Sequence, residues 1–425
     1  MRLIISSLIL IIFTSGCQTT RGDNSCTYGL LMHSKRQFDT AKENYDLCLK
    51  SPNLSASIRA RTHLMRGFAN LRSKNKNLDA AEADIQTALD MNVLTETKKA
   101  NAYLHLGIIN RNKEKYDAAI QYADKAIELK PTKYNGYFSR ARSHYKARNL
   151  DEAIADYSKA IQLSPEKGTL FKRRAYAYIE KGEFQTGLKD FQKAIDLETK
   201  PESLYLNRSF QYVYHQKFEL ALEDQKKMRR IAPGGWLVNW AAGIQLMWMQ
   251  KYPEAIHMFN KLPQPIFDIA ALKDRGIALM QQGHYSDAAS DFKKALKKEK
   301  PSIYSALWLY IAEFKTGVDG QKTLRNFYNS SVKTKLWPKP IFQFLLGDIT
   351  EAQFLTSTQH KYASIEGNRK CQANYFVGIV ALFKGQKDRA KDFLRKSADT
   401  PSPYCFEATI AKVDLIKIKK KSPAI

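Results

Sequence analysis

Two adjacent stretches, Ala100–Lys133 and Tyr134–Lys167, repeat one pattern at an interval of 34 residues. The first carries Tyr103, Leu106, Gly107, Ala119, Ala126 and Pro131; the second carries Tyr137, Ala141, Ala153, Ala160 and Pro165. Large apolar side chains recur where a helix needs a core-facing stripe, and small ones where two helices must approach closely. A proline closes each stretch, because its missing N–H and fixed φ stop one helix and launch the next unit. Each stretch is therefore a helix–turn–helix whose apolar side one hairpin cannot hide, so copies must stack. A sheet-based fold is excluded for this part of the chain.

The pattern resembles the tetratricopeptide repeat, which implies an all-α solenoid of about eight to ten hairpins closed by a C-terminal helix. Preceding it, a first repeat shows Gly29, Ala41 and Tyr45, and a second shows Leu64, Gly67, Ala81 and Ile85, with Lys74–Asn77 lengthening its turn. A fifth carries Phe171, Ala175, Gly187 and Phe191; a sixth, Tyr205, Ser209, Tyr212 and Ala221. The seventh opens with Trp236-Leu237-Val238-Asn239-Trp240 and runs through Met247-Trp248-Met249. That helix is apolar nearly all round and must be buried on several sides, by its own core or by a partner chain. The eighth is marked by Gly276, Ala288, Phe292, Ala295 and Pro301, and Ile303–Phe314 reads as a ninth first helix. The expected organisation is a leader over 1–16, a tether over 17–25, the repeat array over 26–314, an irregular connection over 315–335, and a terminal segment over 336–425. Phe406–Lys419 is the expected cap.

The N-terminus reads as a leader. Arg2 supplies positive charge, Leu3–Phe13 is an apolar run too short to span a bilayer, and Thr14-Ser15-Gly16 places small residues before Cys17. This order resembles a bacterial lipobox, which implies cleavage before Cys17 and its acylation, palmitate included; Gln18 after it implies the outer membrane. An ordinary secretory leader cut nearby is the alternative. Acyl chains on one residue tether a protein without spanning the bilayer.

Four of the five cysteines follow Cys17. Cys26 and Cys48 fall on the two helices of the first hairpin, and Cys371 and Cys405 are read as opening two successive first helices. In an exported chain such pairs are expected to form two structural disulfides. Metal binding is the competing use, but no Cys-x-x-Cys or nearby Cys/His cluster supports it. The net charge of +26 favours anionic neighbours, unless it only decorates solvated helix faces.

Three features together resemble the NlpI-type lipoproteins of Gram-negative bacteria. They are the leader with Cys17; Trp337-Pro338-Lys339-Pro340-Ile341 followed by Leu346-Gly347-Asp348-Ile349-Thr350-Glu351; and Ala373-Asn374-Tyr375-Phe376-Val377-Gly378 with its closing Phe406-Glu407 helix. The resemblance covers the leader and the terminal segment. It implies a dimeric outer-membrane lipoprotein facing the periplasm, an adaptor that brings peptidoglycan hydrolases together with one another and with a processing protease.

No catalytic constellation is present in the sequence. The eight histidines are scattered, without His-Glu-x-x-His, and neither a Gly-x-Ser-x-Gly elbow nor a phosphate loop occurs. Asp151-Glu152 and Glu223-Asp224 read as solvated helix faces, and His105 and His144 as packing or groove residues. No cofactor and no metal are expected. Function in such an array comes from the groove lined by first helices, where Arg111, Phe138, Arg142, Tyr145, Lys172, Tyr176, Phe210, Tyr214, Trp240 and Trp248 are expected. Arginine and aromatic side chains dominate interface hot spots, although aromatics fill cores as well. The expected occupant is a peptide or helix bearing acidic groups. The Lys/Asn carboxylate clamp of some such repeats is absent, with Leu104 and Ile108 in two of its places. The leading expectation is an adaptor for envelope proteins. A pilotin or assembly factor for a secretion or pilus system and a binder of anionic envelope polymer are the alternatives; nucleic acid is set aside for an exported chain.

Overall fold

The computed structural model describes residues 21–420, apart from 216, 234, 265–266, 268–270, 298–301, 333–336, 361–362 and 401–404. The leader and Cys17 lie outside the described residues, as do Pro301 and the last part of the expected 315–335 connection. The described residues form 23 α-helices and no strand. The chain divides into two units, Met1–Leu197 and Glu198–Ile425.

The first unit holds five hairpins: α1 (Arg21–Ser34) with α2 (Phe38–Leu49), α3 (Ala56–Arg72) with α4 (Leu78–Asp90), α5 (Glu96–Asn112) with α6 (Tyr116–Leu129), α7 (Tyr134–Ala147) with α8 (Leu150–Leu163), and α9 (Gly168–Lys181) with α10 (Phe184–Asp196). Each helix packs on the next throughout. The small residues mark where backbones approach: Ala119, Ala153 and Gly187, 34 residues apart, are buried on successive second helices. Ser55 and Asn77 cap α3 and α4, accepting from the Ile58 and Ala80 amides and so satisfying donors a helix start leaves open. Because α1 begins at Arg21, the end of the expected tether is helical.

The second unit begins with α11 (Glu202–Tyr214), α12 (Phe218–Ile231), α13 (Trp236–Trp248), α14 (Tyr252–Asn260), α15 (Leu272–Gln281), α16 (Tyr285–Leu296), α17 (Ile303–Lys315) and α18 (Gln321–Ser331). It continues with α19 (Lys339–Leu345), α20 (Glu351–Thr356), α21 (Ala363–Phe383), α22 (Lys387–Ala398) and α23 (Phe406–Lys420). One core cluster runs from Met247 on α13 to Ala411 on α23. The apolar helix α13 is buried within its own unit: Val238, Ala241, Ala242 and Met247 are covered, while Trp236 is 38% exposed at its start.

Three expectations are corrected. The stretch 315–335 is not an irregular connection, since α18 fills much of it; two apolar residues three apart, Leu324 and Phe327, suffice to bury one side of an otherwise polar helix. Cys371 lies inside the long helix α21 and Cys405 directly before α23, so they do not open two successive first helices. The acidic pair on α12 is not uniformly solvated: Glu223 is exposed, but Asp224 is buried.

Asp224 belongs to a recurring device. Arg140 pairs with Asp156, Arg174 with Asp190, Arg208 with Asp224 and Arg275 with Asp291, each 16 residues apart and each through two parallel N–H donors. Arg66 and Asp84, with two more residues between them, do the same across the lengthened second turn. A forked guanidinium on the first helix thus locks the carboxylate of the second, a geometry lysine cannot reproduce. The terminal-segment motif has equally structural roles. Asp348 accepts twice from Arg325, Thr350 and Gln353 form a capping box for α20, and Trp337 Nε1 donates to Gln372, which donates to Glu407.

Both expected disulfides are present, Cys26–Cys48 joining α1 to α2 and Cys371–Cys405 joining α21 to the start of α23. No helix of the described residues is long and apolar enough to cross a membrane.

Candidate functional site

The ten groove candidates fall into two sets, one in each unit. In the first unit, α5, α7 and α9 place Arg111, Arg142 and the unforeseen Lys146 and Arg173 within one electrostatic neighbourhood. Arg111 is only 7% exposed and donates to Ser143 Oγ at 3.4 Å. Arg142 lies 5.7 Å from the centre of the Phe138 ring, a cation–π contact. Arg173 carries a buried Nε with no hydrogen-bond partner, and the Ser139 hydroxyl on α7 is likewise unsatisfied. Among the described residues, none of these four cations meets a carboxylate in an ion pair, in contrast with Arg140 and Arg174 on the same helices.

The crowding shows in their protonation. Burial, and then the field of Arg142, pulls the Arg111 guanidinium down to about 10. Burial and then Arg173 lower Arg142. Lys146 is lowered by desolvation first and then by Arg173, Arg111, Arg142 and Arg148, although the residue as a whole is exposed. On the adjoining α8, Tyr157 is buried and its phenol is pushed up to about 12 by that burial, against the pull of Arg173, Arg142 and Arg111. Hydrogen bonding to Asp156 has the opposite effect on Arg140, holding it above its ordinary value. Like charges this close raise the energy of the folded chain unless an anion neutralises them.

Two of the other candidates have neighbours of their own but are only half-buried. Tyr145 donates to Glu180, which also pairs with Arg148, and Tyr176 packs edge-on against Phe191 at 5.2 Å. Lys172 is also on α9 and half-buried. His105 stacks on Phe68 at 3.8 Å, and burial lowers its pKa. The sequence reading missed Lys146 and Arg173. The available signal for Lys146 was its place four residues after Arg142, on the same side of α7.

The second set meets mainly itself. Phe210 contacts Tyr214 and Trp240, Tyr214 contacts Trp248, and Trp248 packs edge-on against Phe406 of α23 at 5.2 Å. Trp240 also donates from Nε1 to Asp274 at 3.3 Å. These four rings form a packed aromatic cluster under the terminal helix. The described residues hold no group of three or more His, Cys, Asp or Glu arranged to bind a metal.

Comparison with known proteins agrees with this reading of the repeats. Residues 134–167 match one tetratricopeptide repeat family, and residues 66–134 and 273–312 match another. The chain carries tetratricopeptide repeats at these positions. No curated protein sequence matches it. Among solved structures, a tetratricopeptide repeat protein from Parabacteroides merdae is 17% identical over 60% of this chain and 98% of its own, with a TM-score of 0.46. A crystal structure of MamA is 24% identical over 44% of this chain and 99% of its own, with a TM-score of 0.35. MamA from Desulfovibrio magneticus RS-1 is 12% identical over 43% of this chain and 97% of its own, with a TM-score of 0.37.

Proposed function

We propose that this chain is a non-catalytic adaptor, held by an acylated Cys17 at the periplasmic side of the outer membrane, which binds envelope proteins through its first helices. Tetratricopeptide repeats generally serve as protein-interaction scaffolds. The observation that carries the reading is the set of unneutralised cations beside aromatic rings on α5, α7 and α9. A chain that needed these groups only for packing would pair them, as it pairs Arg140, Arg174, Arg208 and Arg275. The leader, and two disulfides of the kind that persist in oxidising compartments, support an exported location. The resemblance of the terminal segment supports peptidoglycan hydrolases and a processing protease as partners, and a homodimer as the working state.

The test is palmitate labelling of wild type and Cys17→Ala in cells, with fractionation, followed by cross-linking in intact membranes. Label and outer-membrane association should depend on Cys17, and hydrolases or a protease should appear among the cross-linked proteins. An unacylated, soluble wild type removes the anchor, and cross-links to neither class remove the adaptor. The net charge of +26 favours a second reading, direct binding of an anionic envelope polymer. Wild-type binding to purified cell wall that collapses with salt, without any cross-linked protein, is its signature.

A further inference from the structure

We propose that the face formed by Arg111, Arg142, Lys146 and Arg173 takes an acidic segment of the partner protein, with its carboxylates on the guanidinium groups and its apolar side chains against Phe138 and Tyr176. The proposal rests on the adaptor reading and names the chemistry of the partner.

The cations are spread over three successive first helices, so they match charges distributed along a chain and not a single point. Arg111 is nearly closed off from solvent, and Arg173 presents a buried Nε with nothing to donate to. Only a small planar acceptor on a slender stem reaches groups so placed, and a carboxylate side chain fits that description. The protein supplies its own example next to the cluster. Glu180 on α9 is held by the Tyr145 hydroxyl and the Arg148 guanidinium of the neighbouring repeat, which shows an arginine and a tyrosine of adjoining positions cradling one carboxylate. The aromatic flank favours a peptide over a bare polyanion, since Phe138 and Tyr176 offer apolar and ring surface that a phosphate or sugar-acid chain does not use. Glu180 also limits the face: an incoming chain with charge at every position would meet a like charge there.

The experiment uses the full mature chain in detergent and a fluorescent synthetic peptide alternating glutamate with leucine. Its counterpart has every glutamate replaced by glutamine, and binding is read by anisotropy. The glutamate peptide should bind at least about tenfold more tightly, and the gap should narrow as salt rises. Arg142→Gln and Arg173→Gln, both at half-buried positions, should each reduce the preference about tenfold while the helical circular dichroism stays as in wild type. Equal binding of the two peptides by wild type overturns the proposal without recourse to any variant. Inorganic polyphosphate that binds through Arg142 and Arg173 while the glutamate peptide does not also overturns it, in favour of a polyanion. If wild-type peptides show no preference yet membrane cross-links to envelope proteins persist, the adaptor reading stands and this inference fails. A clear glutamate preference without cross-links keeps the acidic site and removes the adaptor.

Discussion

Arg208 and Asp224 meet with their side chains 6% and 2% exposed, joined by two N–H donors at 2.8 and 2.7 Å. Desolvating two ions costs nearly as much as their attraction returns, so the pair fixes how α11 sits on α12 more than it stabilises the unit. Breaking it is another matter. Arg208→Ala should cost about 3–5 kcal/mol, read from urea unfolding, because it strands a buried carboxylate, and adding Asp224→Leu should recover most of that loss. A single variant no less stable than wild type would mean that water reaches Asp224. The pairs were written in the sequence, as arginines at 140, 174 and 208 and aspartates at 156, 190 and 224. Reading charges on second helices as solvated concealed them. The opposite failing hid part of the candidate site: Arg111 and Arg142 were expected in the groove, but Arg173 differs from Arg174 by lacking a carboxylate partner, and a missing contact leaves no mark in a sequence. At Asp414 the sign of a charge effect is testable. Burial pushes its carboxyl up to about 6, with Lys417, Lys315 and the Tyr375 hydroxyl pulling down and Tyr252 and Tyr285 beside it. Its contribution to stability is full below the unfolded value near 3.8 and is lost as pH rises through about 6. Asp414→Asn should therefore gain on wild type by up to about 2–3 kcal/mol at pH 8 and lose that advantage at pH 4, measured by parallel denaturant titrations.

At the level of the helix, close approach decides what each position tolerates. A Cβ on Gly243 of α13 would stand 2.4 Å from the Phe259 ring of α14, whereas one on Gly367 of α21 would meet nothing within 4 Å. Alanine is the better helix former by about 1 kcal/mol, so propensity alone predicts that both substitutions stabilise. Gly367→Ala should do so by about 0.5–1 kcal/mol, and Gly243→Ala should destabilise by about 1–3 kcal/mol, because the ring cannot withdraw from a filled core. Thermal melts of the two variants against wild type give the comparison, and a matching sign for both would show that α13 and α14 are looser than their packing indicates. The hairpins themselves were largely legible, since the spacing of small and large residues states which helix faces touch. The helix α18 was not, because Leu324 and Phe327 are too few to raise a periodic signal among Gln, Lys, Asn and Ser. Nor was the fate of the aromatics on α11 and α13. Phe210, Tyr214, Trp240 and Trp248 read equally well as groove or core, and what settles Trp248 against Phe406 is a helix more than 150 residues further on.

Across the whole chain, stacked hairpins make stability a sum of neighbour contacts, so the helices at either end of the described chain have the least to hold them. The hairpin α1–α2 packs on α3, and α23 packs on α21 and α22. These are the elements the two disulfides fasten, closing loops with sequence separations of 22 and 34 residues. Loop-closure entropy assigns each bond about 3–4 kcal/mol against the unfolded chain. Removing them should thus act locally. With reductant present, hydrogen exchange should accelerate first in α1, α2 and α23, while α5 to α9, which neither disulfide fastens, keep their protection. Cys26→Ser with Cys48→Ser should reproduce the loss in α1 and α2 alone, and Cys371→Ser with Cys405→Ser the loss in α23 alone. If either double variant removed protection from the central hairpins as well, the repeats would be unfolding as one block, and additivity between neighbours would be the wrong description of this chain. The same experiment bears on the binding face, since Arg111, Arg142 and Arg173 lie in the stretch expected to stay protected. An acidic peptide bound there should slow exchange in α5, α7 and α9 equally with and without reductant.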